Sequence, residues 1–222
     1  MKRKIITTAD GSKTIQIEDW NEQYHSIHGA VQEAQHVFIK HGLHAVKLNS
    51  INILEVGFGT GLNAFITLLE ADKNQIKINY TGVEAYPVLE DELAQLNYAS
   101  TLNADGRTED FWRLHRGDWE LAFQITKNFK LTKQQKFFDD INDSDAYHLV
   151  YFDAFGARVQ PELWDEAMFK RMYKALKNDG ILVTYAAKGS VRRAMQSAGF
   201  LVEKLPGPPG KREMLRAQKK RS

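Results

Sequence analysis

The segment Ile51-Asn-Ile-Leu-Glu-Val-Gly-Phe-Gly-Thr-Gly-Leu-Asn63 carries the strongest structural signal in this chain of 222 residues. An apolar run rich in β-branched residues stops at a glycine cluster, and apolar residues then recur at helical spacing. This order predicts a strand, a tight loop and a helix. Gly57, Gly59 and Gly61 have no Cβ atoms, so the loop can turn sharply and lie against a ligand, beside the free amides of the helix start.

Glu55, two positions before the first glycine of the loop, indicates which ligand this loop holds. A dinucleotide fingerprint has the spacing Gly-x-Gly-x-x-Gly, whereas here the third glycine comes one place early. A carboxylate beside the loop repels phosphate but suits the ammonium group of an amino acid. S-adenosylmethionine carries such an ammonium group and no phosphate. The pattern Glu-x-Gly-x-Gly-x-Gly after a strand resembles motif I of the class I methyltransferases. The cofactor contacts expected in this segment are Glu55, Gly57, Phe58, Gly59, Gly61 and Asn63.

Acidic residues follow three further predicted strands. Glu84 ends a strand at 76–84, where a carboxylate can accept hydrogen bonds from both ribose hydroxyls. Asp118 ends a strand predicted at 114–117 and is expected to accept from the adenine amino group. Asp153 ends the apolar run 148–153 and is expected to meet the acceptor. A single acid in such a place is most often a helix cap, but the three in series, Glu55, Glu84 and Asp118, favour a binding site.

The composition restricts the class of protein. The chain is 43% hydrophobic and 26% charged, as in globular proteins, and has a net charge of +2. It has no cysteine, which excludes a disulfide scaffold and a thiolate metal site. His25, His28 and His36 lack the spacing that would demand a metal, so none is expected. No apolar run is long enough for a membrane span, and we expect a cytoplasmic location with no membrane partner.

The order of elements predicts an α/β fold with one domain over 1–222. Alternation around Asp10-Gly11 predicts a β-hairpin within 4–19, which with the next helix forms an N-terminal appendage over 1–45. Strands and helices then alternate over a cofactor-binding core at 50–217, with a helix at 87–97. Residues 127–146 read as a loop or short insertion. The segments 201–205 and 213–217 predict a terminal antiparallel hairpin.

Basic residues accumulate towards the end of the sequence. From Lys188 onwards there are ten basic residues and two acidic ones. Such a block is a plausible electrostatic footprint for nucleic acid, while Lys219 to Arg221 alone are better explained as a frayed, solvated tail. The residues expected to contact phosphate are Lys188, Arg192, Arg193, Lys211 and Arg212.

Motifs later in the chain narrow the family. They are Asp153-Ala-Phe with Pro161-Glu-Leu-Trp164, Val191-Arg-Arg193, Ala198-Gly-Phe200 and Lys211-Arg-Glu-Met214, together with Tyr24 and His28-Gly29 near the start. From Asp19 to Arg216 the chain resembles the MnmC-type methyltransferase domains that modify wobble uridine in tRNA.

This resemblance implies a Rossmann-like, seven-stranded, mostly parallel sheet whose last strand is inserted antiparallel. It also implies S-adenosylmethionine-dependent methylation of aminomethyl-uridine in the anticodon of tRNA, with Asp153 and Phe155 at the acceptor. No second glycine motif occurs to hold the FAD of an oxidase half, so the upstream steps are expected to belong to separate enzymes. Gly156-Ala157 stands where the family often has a small residue and proline, which predicts a less rigid loop.

Two other functions remain open from the sequence. An aminopropyltransferase or small-molecule amine N-methyltransferase would share the fold, although polyamine pockets need several acids and Asp153 is followed by apolar residues. The other is a non-catalytic RNA-binding module with a degenerate methyltransferase fold. The retained acids Glu55, Glu84, Asp118 and Asp153 argue against that second alternative.

Overall fold

The computed structural model describes residues 2–220, which form two β-sheets and seven α-helices within that range. The strands are β1 (Arg3–Thr7), β2 (Lys13–Ile17), β3 (Glu22–Gln23), β4 (Ser50–Val56), β5 (Lys77–Val83), β6 (Ala122–Thr126), β7 (Phe129–Gln134), β8 (Tyr147–Phe152), β9 (Leu176–Thr184), β10 (Leu201–Pro206) and β11 (Glu213–Gln218). The α-helices are α1 (Ala30–Ala34), α2 (Leu62–Asn74), α3 (Glu90–Leu93), α4 (Tyr98–Thr101), α5 (Thr108–Arg116), α6 (Glu166–Ala175) and α7 (Gly189–Ser197). A π-helical segment, Gln35–Lys40, continues α1.

The larger sheet has the order β10-β11-β9-β8-β4-β5-β7-β6. Its five central strands, from β9 to β7, are parallel, and β11 pairs antiparallel with both β9 and β10. The class I methyltransferase fold with a terminal antiparallel hairpin is therefore confirmed. The sheet has eight strands where seven were predicted, because β6 pairs antiparallel with β7 and adds one edge strand.

The central strands are covered on both faces, as their continuous apolar runs indicate. Side chains alternate along a strand, so neighbouring residues of β8 enter different cores. Leu149 and Tyr151 pack with α2 and α5 on one face. Val150 and Phe152 pack with α6 and α7 on the other, where the predicted methionine and tryptophan stripe of α6 is buried. Together the two cores hold the carboxyl ends of β4, β5 and β8 at one edge of the sheet.

The predicted strand at 114–117 is wrong. These residues form the end of α5 and the turn after it, with Phe111 and Leu114 buried three positions apart on one helical face. The third parallel strand is β7, which lies inside the segment 127–146 that was predicted to be a loop. Its inward face carries Phe129, Leu131 and Lys133, all with 0% exposure. A lysine on the buried face disrupts the apolar alternation by which a strand is recognised.

Two smaller predictions also need correction. The helix predicted at 87–97 is only the single turn of α3, followed by α4. Lys219 is not part of a frayed tail, since it is 9% exposed and its Nζ lies 2.9 Å from Asp145 and 2.6 Å from the carbonyl of Leu176. Arg221 lies outside the described residues.

The N-terminal hairpin is confirmed and lies outside the larger sheet. β1 and β2 pair antiparallel, and β3 joins them in a sheet of three strands. An ion pair of 2.9 Å between Arg3 and Glu92 links this small sheet to the larger fold. Across residues 2–220 the structure has no helix that is both long and apolar enough to cross a membrane.

Candidate active site

A cavity of about 1040 Å³ opens at the carboxyl ends of β4, β5 and β8. Ligands of open α/β sheets bind at this edge, where the strand order reverses. The floor of the cavity is the glycine loop after β4, and its roof is the segment 20–28 that follows β2. Residues that are far apart in the sequence therefore meet around one space, and both Glu84 and Asp153 line it.

The glycine loop needs its glycines for conformation and for space. Gly57, Gly59 and Gly61 have φ values of +93°, +48° and +73°. A Cβ atom on Gly57 would lie 2.7 Å from the carbonyl oxygen of Asp153, and one on Gly59 would lie 3.0 Å from the ring of Tyr24. Gly57, Phe58 and Gly59 line the cavity, whereas Gly61 lies behind them at the N-terminus of α2.

Glu84 is held at the cavity wall by main-chain donors. Its Oε2 accepts from the N–H of Gly59 at 3.0 Å, and its Oε1 accepts from the N–H of Tyr86 at 2.9 Å. Burial raises the pKa of Glu84, and these hydrogen bonds oppose that rise. A carboxylate has about four acceptor sites, so two remain for the hydroxyl groups of a ribose.

Glu55 occupies a different place from the one predicted. It is 0% exposed and is not one of the described residues that line the cavity. The Nδ2 of Asn63 donates to Glu55 Oε1 at 2.9 Å and to Asp153 Oδ2 at 2.8 Å. Burial raises the pKa of Glu55 well above its ordinary value. Glu55 therefore orients Asn63, which lines the cavity and whose buried Oδ1 has no partner among residues 2–220.

Asp153 follows β8 and is partly buried. Burial raises the pKa of Asp153 to about 7, and the negative charge of Glu33 adds to the rise. The hydrogen bond from Asn63 and the charge of Lys211 oppose it. A carboxylate with this pKa is a stronger base than a free aspartate, whose pKa is near 4.

Aromatic side chains from distant parts of the chain form the wall beside Asp153. Phe155 makes edge contacts with Trp20 at 5.7 Å and with Tyr24 at 5.0 Å between ring centroids. The Nε1 of Trp164 donates to the carbonyl of Phe155 at 2.7 Å. The hydroxyl of Tyr185 donates to the carbonyl of Ala154 at 2.8 Å. A planar base could stack in such a wall, which excludes water from the acceptor.

The loop after Phe155 is tied to the roof. The guanidinium of Arg158 donates to the carbonyls of Trp20 and Asn21 at 2.8 and 3.0 Å and to Glu22 at 2.6 Å. These contacts hold the loop at Gly156-Ala157, although it lacks the expected proline. Arg158 therefore anchors the loop that the sequence predicts to be less rigid.

Asp118 does not lie at a strand end, because the strand that would place it there is part of α5. Nor is it among the described residues that line the cavity. Burial lowers the pKa of Lys133 to about 8, and the negative charge of Asp118 opposes that change. The acid that follows the true third strand and does line the cavity is Asp139. Beside it, Tyr86 and Phe137 are exposed at the rim with ring centroids 6.1 Å apart.

The predicted phosphate contacts divide into two groups. Lys188, Arg193 and Arg212 are exposed, whereas Arg192 is half-buried. Lys211 lines the cavity, donates to Glu33 at 2.6 Å and lies 4.0 Å from the ring centroid of Tyr185. Lys211 therefore lies at the cavity wall in an ion pair, and its predicted phosphate contact stays a prediction.

Sequence reasoning missed several lining residues, namely Trp20, Tyr24, Glu33, Asp139 and Tyr185. The cluster of aromatic residues and histidines at 20–28 was a usable signal, since a purely structural hairpin has no need of it. No group of three or more His, Asp or Glu side chains within residues 2–220 is arranged to hold a metal ion.

The site fits S-adenosyl-L-methionine. The glycine cradle leaves room where any Cβ atom would intrude, Glu84 offers free acceptor sites, and Asn63 and Asp153 present oxygen atoms that suit an ammonium group. The exposed aromatic pair Tyr86 and Phe137 beside Asp139 suits an adenine ring.

Comparisons with known proteins agree with this geometry. Residues 112–220 match a family model described as S-adenosyl-L-methionine-dependent methyltransferase. The chain is 30% identical over 217 residues to the tRNA 5-methylaminomethyl-2-thiouridine biosynthesis bifunctional protein MnmC of Aromatoleum aromaticum, covering 90% of this chain and 33% of that protein. The MnmC of Hydrogenovibrio crunogenus is 28% identical over 231 residues, covering 96% of this chain and 33% of that protein. The chain thus spans about a third of the length of these curated relatives.

Two solved structures share the fold. The crystal structure of MnmC2 from Aquifex aeolicus superposes with a TM-score of 0.79 at 23% identity, covering all of this chain (100%) and 71% of that one. Spermidine synthase from Thermotoga maritima superposes with a TM-score of 0.53 at 12% identity, covering 97% of this chain and 72% of that one. At these identities the likeness concerns the fold alone.

Proposed function

We propose that this chain, which is an S-adenosyl-L-methionine-dependent methyltransferase of the MnmC-like type, methylates the primary amine of aminomethyl-uridine at the wobble position of tRNA. The observation that carries the proposal is Asp153, whose carboxylate faces the same cavity as the glycine loop and the aromatic wall of Trp20, Tyr24 and Phe155. The printed name of the relatives, which concerns 5-methylaminomethyl-2-thiouridine in tRNA, supports this substrate.

The main difficulty of this reaction is the protonation of the acceptor. An alkyl amine has a pKa near 10, so at neutral pH it lacks the free lone pair that must attack. When bound, S-adenosyl-L-methionine supplies an electrophilic methyl carbon whose bond to sulfur breaks with the electron pair staying on sulfur. Asp153 accepts a hydrogen bond from the amine, aims its lone pair and takes the proton that leaves the nitrogen.

The pKa of Asp153 makes it suitable for this role. With a carboxylate of pKa near 4, taking a proton from an amine of pKa near 10 is uphill by about 8 kcal/mol. With the pKa of Asp153 at about 7, the same transfer is uphill by about 4 kcal/mol. Burial by Phe155 and the strand end also disfavours the charged ammonium form and helps the proton to leave.

The remaining cavity residues divide between the two ligands. Asn63, Gly57, Phe58, Gly59, Glu84 and Asp139 would hold the cofactor, while Glu55 orients Asn63 from behind. Phe155 with Trp20 and Tyr24 would take the uracil ring. The exposed Lys188, Arg193 and Arg212 would contact phosphates of the anticodon arm. We further propose that the reaction takes place in the cytoplasm and that separate enzymes supply the aminomethyl group.

Two of the acids that line the cavity are already paired with cations. Two acids of the roof and α1 that line it, Glu22 and Glu33, each form an ion pair of 2.6 Å, with Arg158 and Lys211 respectively. Asp153 has no such pair in the described part of the chain. A diamine needs a carboxylate for each of its two ammonium groups, and these two ion pairs make Glu22 and Glu33 poorly suited to that role.

A direct assay tests the proposal. The purified chain is incubated with S-adenosyl-L-methionine and an anticodon stem-loop RNA that carries 5-aminomethyluridine, and its nucleosides are analysed by mass spectrometry. We expect 5-methylaminomethyluridine, and no product from the matched RNA with unmodified uridine. Parallel reactions contain putrescine with decarboxylated S-adenosylmethionine, and spermidine with S-adenosyl-L-methionine. A product from a polyamine but not from the RNA would overturn the proposal.

A further inference from the structure

The ion pair between Lys211 and Glu33 takes no part in the chemical step proposed above. Lys211 belongs to the turn between β10 and β11, and Glu33 lies on α1, so the pair joins the two ends of the described chain. Glu33 is 6% exposed and also accepts from the N–H of Ser26 at 3.1 Å. Both side chains line the main cavity. The ion pair therefore lies in the wall of the same cavity that Asp153 lines.

The position of the pair relative to Asp153 is set by Tyr185. The Nζ of Lys211 lies 4.0 Å from the centroid of the Tyr185 ring. The hydroxyl of Tyr185 in turn donates to the carbonyl of Ala154, the residue after Asp153. The ammonium of Lys211, the Tyr185 ring and the backbone after β8 are therefore linked by consecutive contacts. Any displacement of Lys211 changes the electrostatic potential at the carboxylate of Asp153.

Several titratable groups act electrostatically on Asp153. They include Glu33 on α1, Lys211 in the terminal hairpin, Tyr185 after β9, Glu55 on β4 and Tyr80 on β5. Burial raises the pKa of Glu55, Tyr80 and Tyr185 well above their ordinary values, which favours the neutral form of all three. Glu33 and Lys211 are then the charged members of this group, and they act on Asp153 with opposite signs.

We propose that the Lys211–Glu33 ion pair is an electrostatic control on Asp153, in which Lys211 cancels the repulsion from Glu33 and so keeps Asp153 ionised and able to accept the proton of the amine. Both residues are positioning residues in this scheme. The inference rests on the function proposed above, because it assumes that Asp153 acts on an acceptor amine.

The test is the pH dependence of the single-turnover rate. The rate is measured with saturating S-adenosyl-L-methionine and saturating 5-aminomethyluridine RNA, so that it reports groups in the complex. Lys211→Met leaves Glu33 uncompensated beside Asp153, so we expect the acidic limb to move up by about one pH unit. The rate below that limb falls about tenfold and returns towards the wild-type value at high pH. Lys211→Arg keeps the charge and should keep the wild-type profile.

The second variant has the opposite sign. Glu33→Gln leaves the ammonium of Lys211 without its anion, so the acidic limb should move to lower pH by a similar amount. The double variant removes both charges and should return close to the wild-type limb. Loosened packing could slow all three variants, but it could not shift their limbs in opposite directions.

Lys204 and Glu213 provide the matched control. They form an ion pair of 2.8 Å on the same terminal hairpin and are not among the described residues that line the cavity. Lys204→Met and Glu213→Gln should leave the limb unchanged. If the limbs of Lys211→Met and Glu33→Gln coincide with that of the wild type, or move in the same direction, the inference is wrong while the methylation of the RNA still stands. If the wild type does not methylate the RNA at all, the failure lies in the proposed function. Should Lys211→Met fail to fold, Glu33→Gln alone decides the sign.

Discussion

Asn63 donates hydrogen bonds from one amide nitrogen to two carboxylates, that of Asp153 at 2.8 Å and that of Glu55 at 2.9 Å. The two acids would repel each other if both were charged at this separation. Burial raises the pKa of Glu55 well above its ordinary value, which favours its protonated form and weakens this repulsion. Asp153 is then the carboxylate of this group that is free to titrate in the neutral range.

Replacing Asp153 should affect the chemical step much more than cofactor binding. We expect Asp153→Ala to lower kcat by about two orders of magnitude or more, because the amine loses its proton acceptor and its orientation. Raising the pH should restore part of the rate by supplying neutral amine. Steady-state kinetics across pH and calorimetry with S-adenosyl-L-methionine measure both effects. A kcat near that of the wild type would place the acceptor contact elsewhere.

The same residue should make the folded state less stable as the pH rises. The pKa of Asp153 is raised to about 7 in the folded chain, so its contribution to stability is complete below about pH 4 and is lost as the pH rises through about 7. Asp153→Asn stays neutral and keeps an oxygen for Asn63. We expect it to match the wild type near pH 4 and to exceed its free energy of unfolding at pH 8 by about 1–3 kcal/mol.

The comparison of Asp153→Asn with the wild type is essential in that experiment. Burial lowers the pKa of His25 to about 4 and that of His115 to about 3. Both histidines therefore contribute stability that is present above about pH 6.5 and is lost as the pH falls towards those values. Their effect is common to both proteins and cancels in the difference. Urea unfolding at several pH values gives that difference, and a constant value would contradict the assigned ionisation of Asp153.

Alanine at Gly57 should impair both halves of the site at once. The new Cβ atom would lie 2.7 Å from the carbonyl oxygen of Asp153, at a backbone φ of +93°. We therefore expect weaker S-adenosyl-L-methionine binding, a lower kcat, and a loss of stability of about 1–3 kcal/mol. Gly106→Ala is the matched control, because that Cβ meets no atom within 4 Å.

Gly59→Val should abolish cofactor binding, because it adds a branched side chain at a backbone φ of +48° beside the ring of Tyr24. Calorimetry with S-adenosyl-L-methionine measures this loss.

Asp139 and Asp118 are the two candidates for the hydrogen bond to the adenine amino group. Asp139 lines the main cavity after β7, and Asp118 does not. We expect Asp139→Ala to raise the Kd for S-adenosyl-L-methionine about tenfold, corresponding to one lost hydrogen bond of about 1.4 kcal/mol. Asp118→Ala should leave that Kd unchanged. Calorimetry on both variants decides between them, and the reverse result would restore the assignment made from the sequence.

The exposed basic residues of the terminal region should contribute to RNA binding. Reversing Lys188, Arg193 and Arg212 to Glu should raise the KM for the RNA and flatten its dependence on salt, with cofactor affinity unchanged. Lys73→Glu is the control, because Lys73 is exposed on α2 and forms a surface ion pair with Glu70. Equal RNA affinity of the triple variant and the wild type across a salt titration would make these three residues ordinary surface charge.

The parts of the site that could be predicted from the sequence are local. Glu84 and Asp153 directly follow apolar strands, so their positions depend only on recognising those strands. Asp139 was missed because Lys133 lies on the inner face of the preceding strand, where a buried cation interrupts the pattern. Asp118 was misplaced because the strand expected before it was predicted within residues that form the end of α5.

Other parts depend on long-range packing that no local pattern encodes. Lys211 was predicted to contact phosphate because it belongs to the basic C-terminal block, yet Glu33, at a distance of 178 residues along the chain, pairs with it at the cavity wall. Glu55 was expected at the ligand because it precedes the glycine loop. Its side chain instead points into the sheet, where Asn63 meets it.

The contact between Gly57 and the backbone of Asp153 also limits how this protein can evolve. The space that a side chain at Gly57 would need is taken by the carbonyl oxygen of Asp153, and the N–H of Asp153 is bound to the carbonyl of Val56 at 3.0 Å. The glycine loop, which would hold the methyl donor, and the end of β8, which would meet the acceptor, are therefore in direct backbone contact and cannot move independently. A lineage that adopted a new acceptor by reshaping the chain at Asp153 would have to adjust the loop at Gly57 in the same step. New substrates are more accessible through the roof and the aromatic wall, where side chains can change without moving this junction.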